Sequence, residues 1–112
     1  MSQDNKIIRL FFAKMKEEFI DLSDSEKNDF MMKDRANLDS LGMKAVSMIQ
    51  CGDLDNEWDY IGVESWPSME AIQKREIFEN EVLEISKYVI YKTHLGIDES
   101  FEDYGKQEKI TL

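Results

Sequence analysis

Four stretches of this chain have the β-branched and aromatic make-up of strands, and they carry apolar side chains on both faces. The intervening sequence supplies only two helices. Residues 7–16 (IIRLFFAKMK) put Leu10 and Phe12 on one side and Phe11, Ala13 and Met15 on the other. In the last strand, residues 88–95, Ile90 opposes Val89, Tyr91 and Leu95. Two helices cover one face of a four-stranded sheet. The second face is apolar, so it needs a cover of its own. A second copy related by a twofold axis is the economical one, making the expected partner the protein itself, as a homodimer through the sheet face. The alternative is that the C-terminal tail folds over the sheet.

The elements between these strands are marked by local chemistry. Ser23-Asp24-Ser25-Glu26 forms a capping box, in which the Ser23 hydroxyl takes the Glu26 amide and the Glu26 carboxylate reaches back. The helix it opens is predicted over residues 23–41, with Gly42 as its stop. Residues 44–51 read as the second strand, 52–57 as a turn rich in Gly, Asp and Asn, and 58–66 as the third strand. Pro67 ends that strand, and Ser68 is placed to cap the next helix. The apolar stripe of residues 68–87 changes phase, which predicts a break at residues 78–80. The order is βαββαβ, a ferredoxin-like α+β arrangement with a four-stranded antiparallel sheet. One domain over residues 1–96 is followed by a polar tail, residues 97–112, carrying Phe101, Tyr104, Ile110 and Leu112. This tail is placed to pack on the partner subunit.

Charge narrows the partners. The 112 residues hold 14 basic against 24 acidic side chains, a formal net charge of −10, which disfavours nucleic acid and anionic membranes. Cys51 is the single cysteine, so no intrachain disulfide forms, and a reducing, cytoplasmic setting is expected. The apolar stretch at residues 7–13 is too short for a signal core, and no apolar run has the length of a membrane span.

The phrase Val63-Glu64-Ser65-Trp66-Pro67-Ser68-Met69-Glu70, with the element order and the two-faced sheet, resembles the dimeric α+β barrel superfamily. Members often end the third strand with an aromatic residue and open the next helix with Ser and Glu. Phe19-Ile20-Asp21-Leu22-Ser23, followed by Glu26 and Phe30, resembles uncharacterised darcynin-like members. The resemblance covers residues 7–96. It implies a range of activities: haem-degrading and quinone-forming monooxygenases, lactone isomerases, polyketide cyclases, and proteins with no known activity. Fold does not choose among them. Haem-degrading members resemble this chain at Trp66 but place a haem-ligating histidine in the following helix. Here that stretch reads Arg75-Glu76-Ile77-Phe78-Glu79. The departure removes the iron ligand, and no cofactor is expected.

Two residues are candidates for proton chemistry. Asp34 falls within the apolar stripe defined by Phe30, Met31, Leu38 and Leu41, where a carboxylate facing the sheet would be drawn out of water and suited to general acid or base work. Its bland alternative is a structural pair with a nearby cation. His94, the only histidine, lies near the end of the last strand on the face of Tyr88, Ile90 and Lys92. It is either a proton shuttle or a hydrogen-bonded strand-end side chain.

Trp58, Tyr60 and Trp66 share a face of the predicted third strand, where they either line a flat aromatic pocket together with Phe12 or simply fill a core or dimer interface. Arg75 and Lys92 are the cations expected nearest such a pocket if the ligand is an acid. The acidic run Asp53, Asp55, Glu57, Asp59 and Glu64 has the spacing of calcium-loop oxygens but carries Trp58 where the loop needs glycine, so no metal is expected. The five glycines form no phosphate loop. Cys51 and His94 would make a nucleophile and base only if they meet in space.

The resulting expectation is a small-molecule-binding homodimer that performs cofactor-independent chemistry (monooxygenase, isomerase or cyclase type) on a small apolar or aromatic compound. The alternative is a non-catalytic ligand carrier or a structural or regulatory dimer.

Overall fold

The computed structural model describes residues 7–106. Four strands form one antiparallel sheet: β1 (Ile7–Met15), β2 (Lys44–Gln50), β3 (Tyr60–Trp66) and β4 (Val89–Ile97), in the order β2-β3-β1-β4. Four helical segments connect them: α1 (Glu17–Ile20), α2 (Asp24–Ser40), α3 (Met69–Glu81) and α4 (Ile85–Tyr88). This is the expected ferredoxin-like α+β arrangement, with β1 and β3 in the centre. The C-terminal tail beyond β4 makes a 3-10 turn, Phe101–Asp103, while Ile110 and Leu112 lie outside the described residues.

The capping box forms as the sequence requires. The Ser23 hydroxyl accepts the Glu26 amide at 3.1 Å, and the Glu26 carboxylate accepts the Ser23 amide at 3.0 Å. Those hydrogen bonds hold the Glu26 carboxyl below its ordinary range. Gly42 ends the connection from α2 at a φ of 82°, a left-handed conformation, with the Pro67 ring 3.3 Å from where a Cβ would sit. Ser68 caps α3 by accepting the Ala71 amide.

Three boundaries differ from the sequence reading. Residues 17–20, read as plain connection, form the turn of helix α1. The break in the second helix falls at residues 82–84 rather than 78–80, and Glu84 turns the chain with a φ of 48°. This places Phe78 on α3 and frees Leu83 and Ile85 to pack with Ala13 and Val89. The third strand begins at Tyr60, because the Asp59 backbone leaves the regular ladder. Its amide donates to Ala13 O at 2.9 Å, and its carboxylate accepts the Met15 amide at 2.8 Å.

The helices cover the face built by Ile7, Arg9, Phe11 and Ala13 of β1 and their partners Trp66, Glu64, Gly62 and Tyr60 of β3. Two apolar clusters lie in this layer. One gathers Ala13, Leu83, Ile85 and Val89, with Phe30, Phe78 and Tyr88 against them. The other gathers Leu38, Trp66, Ala71 and Ile72. No helix among the described residues is long and apolar enough to cross a membrane.

Candidate functional site

Charged residues separate the two apolar clusters. Arg9, from the central strand β1, is 1% exposed, yet it carries a full guanidinium. Its Nε donates to Glu64 Oε1 at 2.6 Å, and Nη1 and Nη2 donate to the two oxygens of Glu79 at 3.4 and 3.1 Å. Glu79 also accepts from Arg75 Nε at 2.9 Å, an i,i+4 pair on α3. Arg75 continues the chain to α2, donating to the Asp34 carboxylate and, at 3.0 Å, to Asn37 Oδ1. At the other end Trp66 Nε1 donates to Glu64 Oε1 at 3.0 Å.

The network runs Trp66–Glu64–Arg9–Glu79–Arg75–Asp34 and ties β1 and β3 to α3 and α2. Three carboxylates against two guanidiniums leave one formal negative charge. Burial alone would favour a neutral Arg9, but the hydrogen bond and charge of Glu64, with the charge of Glu79, outweigh it and push its pKa above the ordinary arginine value. No buried side-chain polar atom among the described residues lacks a partner. A buried charge network satisfied in this way is costly to break from one side.

This geometry assigns places to the sequence-predicted residues. Asp34 lies between α2 and α3, partly exposed and engaged with Arg75, and Asn37 also accepts from Arg75. Trp66 is 0% exposed and serves as core and as donor to Glu64. Tyr60, opposite Ala13, is on the same helix-covered face. The sequence reading missed Arg9, Glu64 and Glu79. Their signal was the two-residue period that places Arg9 with Ile7 and Phe11, and Glu64 with Trp66, on an inward face.

The residues do not fit a haem between sheet and helices. Arg75 and Glu79 of α3 point into that layer, both buried in ion pairs, and the chain's single histidine is on the opposite face.

The remaining predicted residues meet on that opposite, uncovered face. Phe12 pairs in register with Lys92, and Leu10 with His94. The His94 ring meets Phe12 edge-on at 5.7 Å. Trp58 does not share a face with Tyr60 and Trp66, as its predicted place in the strand required. The departure at Asp59 swings it to the open side, where its ring lies 5.7 Å from Phe12. Asp55 helps to hold it there, accepting the Trp58 and Glu57 amides at 2.9 and 2.7 Å, which keeps the Asp55 carboxyl below its ordinary range. Lys92 Nζ sits 5.1 Å from the Phe12 ring centre and 5.4 Å from that of Trp58. Tyr88, expected beside His94, instead closes α4 and packs on Phe30.

The candidate site therefore divides between two faces. Asp34, Arg75, Tyr60 and Trp66 lie under the helices, and Phe12, Trp58, Lys92 and His94 lie on the open face. Cys51 follows β2, at the sheet edge opposite β4, so at least three strand spacings, about 14 Å, separate it from His94. Burial, with the charges of Asp55 and Asp59, pushes its thiol up, away from the nucleophilic form. Within the acidic run, Asp55 and Asp59 are engaged with backbone amides, and the described residues contain no cluster of three or more His, Cys, Asp or Glu suited to a metal ion.

Along the open face, Ile8, Leu10, Phe12, Ile49, Ile61, Val63 and Ile90 form an apolar surface. A cleft of about 570 Å³ opens at its end, lined by Ile8, Leu10, His94, Phe101 and Tyr104.

Solved structures share this fold. A chlorite dismutase variant from Candidatus Nitrospira defluvii, in complex with cyanide, matches with a TM-score of 0.67 at 9% identity, over 88% of this chain and 42% of that one. This chain thus spans less than half of that protein. The RPA0582 protein of unknown function from Rhodopseudomonas palustris matches with a TM-score of 0.60 at 14% identity, over 87% of this chain and 85% of that one. Its methylated form gives a TM-score of 0.65 at 16% identity. The neighbours are dimeric α+β barrel proteins, and at these identities the likeness establishes the fold alone. No protein-family model matches the sequence, and no curated protein matches it.

Proposed function

We propose that two copies of this chain pack their open sheet faces together and hold a small, planar, anionic aromatic molecule between them. The observation that carries this reading is the cluster of Phe12, Trp58, Lys92 and His94. It provides two ring faces for stacking, a cation for a carboxylate, and one imidazole. Lys92 makes no ion pair among the described residues, so its charge is available to a ligand. An apolar face spread over all four strands supports the dimer, because such a face in water favours association. The resemblance of residues 19–30 to darcynin-like members adds no activity to this reading.

A second reading, a cofactor-independent enzyme, is favoured by the place of His94 beside Lys92. His94 is the imidazole of the cluster, a group that can accept or donate a proton to a bound molecule. The helix-covered face supplies no acid or base, since Asp34 and Glu79 are committed to arginines.

Titration with 2-naphthoate, followed by tryptophan fluorescence, tests the site. Saturable binding is expected, weakened at least about tenfold in Lys92→Met, equivalent to about 1.4 kcal/mol. Its alcohol, 2-naphthalenemethanol, should bind Lys92→Met and the natural chain equally. Equal binding of 2-naphthoate to both proteins would refute the role given to Lys92. For the enzymatic reading, His94→Gln should abolish turnover of a bound aromatic acid while binding persists.

A further inference from the structure

The four strands carry a single carboxylate, Glu64, and it points under the helices. On the open face the charged and titratable groups are Lys14 and Lys44, placed by their register with Ile90 and Ser65, together with Lys92 and His94. In a chain of net charge −10, the strands therefore carry only potentially cationic charged groups on this face, with Asp98 and Glu99 of the chain's own arm bordering the cleft at its end. The segment directly after β4 has the complementary character. Residues 98–104 read Asp-Glu-Ser-Phe-Glu-Asp-Tyr, four acids around two aromatic rings.

This arm is shaped by its own turn. Ser100 opens the 3-10 turn by accepting the Asp103 amide and donating to the Asp103 carboxylate at 2.8 Å. In such a turn, residues three apart lie on one side. Phe101 and Tyr104 accordingly stack, with ring centres 6.2 Å apart and planes 17° from parallel. The pair is nevertheless 91% and 75% exposed. It borders the cleft beside Ile8, Leu10 and His94 without filling it.

We infer that residues 98–104 of one copy dock on the open sheet face of the other, setting the Phe101–Tyr104 pair against the partner's apolar surface and the arm's acids against its lysines. The inference rests on the face-to-face dimer proposed above. The arm of an isolated chain leaves its own face uncovered, whereas two exchanged arms cover the rims of both. Because the arm brings carboxylates and rings to the surface that holds Lys92, it competes there with a small aromatic acid.

Charge exchange between full-length chains tests this. One variant carries Lys14→Glu and Lys92→Glu, and the other Glu99→Lys and Glu102→Lys. After mixing and subunit exchange, native mass spectrometry is expected to show mixed dimers well above the statistical half. A control pair replaces the face change with Lys74→Glu on the exposed side of α3, and it should show no such excess. A statistical mixture from the face and arm variants would overturn the proposal.

Phe101→Ser with Tyr104→Ser provides a second test, since these rings contact each other and leave the sheet untouched. The double variant should weaken the dimer at least tenfold, and an unchanged dissociation constant would overturn the proposal. It also separates the two claims. An unchanged dimer with 2-naphthoate still bound through Lys92 sinks the arm and leaves the site standing. A weakened dimer in which 2-naphthoate ignores Lys92→Met supports the arm and sinks the site.

Discussion

The two faces of this sheet handle charge in opposite ways. Under the helices, Arg9, Arg75, Glu64, Glu79 and Asp34 are paired within one chain, and no buried side-chain polar atom among the described residues lacks a partner. On the open face the strands present no carboxylate at all, but apolar rows, two serines, three lysines and a histidine. The difference teaches how each face is meant to be covered. A layer closed by its own helices can bury ions, because the partners arrive in fixed positions on the same chain. On the reading proposed above, the open face instead leaves its lysines to an acidic arm or ligand from another molecule.

The largest effect expected from breaking this contrast is in the ionic layer. Arg9→Met leaves Glu64 in the interior without a cation and Glu79 with Arg75 alone, and should cost about 3–5 kcal/mol in urea unfolding. Adding Glu64→Gln removes one stranded charge while leaving an acceptor for Trp66, and should recover part of that loss. Asp34→Leu addresses the edge of the same layer. A carboxylate isolated in an apolar stripe would give a neutral or stabilising substitution, whereas Asp34 paired to Arg75 gives a loss of about 1 kcal/mol. The smallest effect concerns the loop that places Trp58. The Asp55 carboxyl has a folded-state pKa below its ordinary 3.8, so its contribution is complete above that value and is lost as pH falls through the lower one. The stability gap between the natural chain and Asp55→Ala should therefore shrink in acid below pH 3.8.

Much of the fold was legible because its signals are local. The Ser23–Glu26 box, the Gly42 stop, the Ser68 cap and the two-faced strands each depend on a few neighbouring residues. The site was less legible. Arg9 and Glu64 look like surface residues in sequence, and only the register of β1 against β3, with α3 across them, makes them a buried pair. Trp58 was placed with Tyr60 by strict alternation, which the Asp59 hydrogen bonds to Ala13 and Met15 interrupt. The helix break was assigned to residues 78–80 from the change of phase in the apolar stripe, and no glycine marks its true place. Glu84 adopts the left-handed conformation there, which sequence gives little reason to expect. Phe12, Lys92 and His94 were each identifiable, but not that they belong to a different face from Asp34 and Arg75.

The central claim is that the open face is the working surface, and Leu10→Glu tests it most directly. Leu10 lies at the middle of that face, between Val63 and His94. Sedimentation of the full-length chain should show twice the chain mass for the natural protein and a folded single chain for Leu10→Glu. A natural protein that sediments as a monomer at every concentration, or a Leu10→Glu variant that dimerises as well as the natural one, would contradict the account.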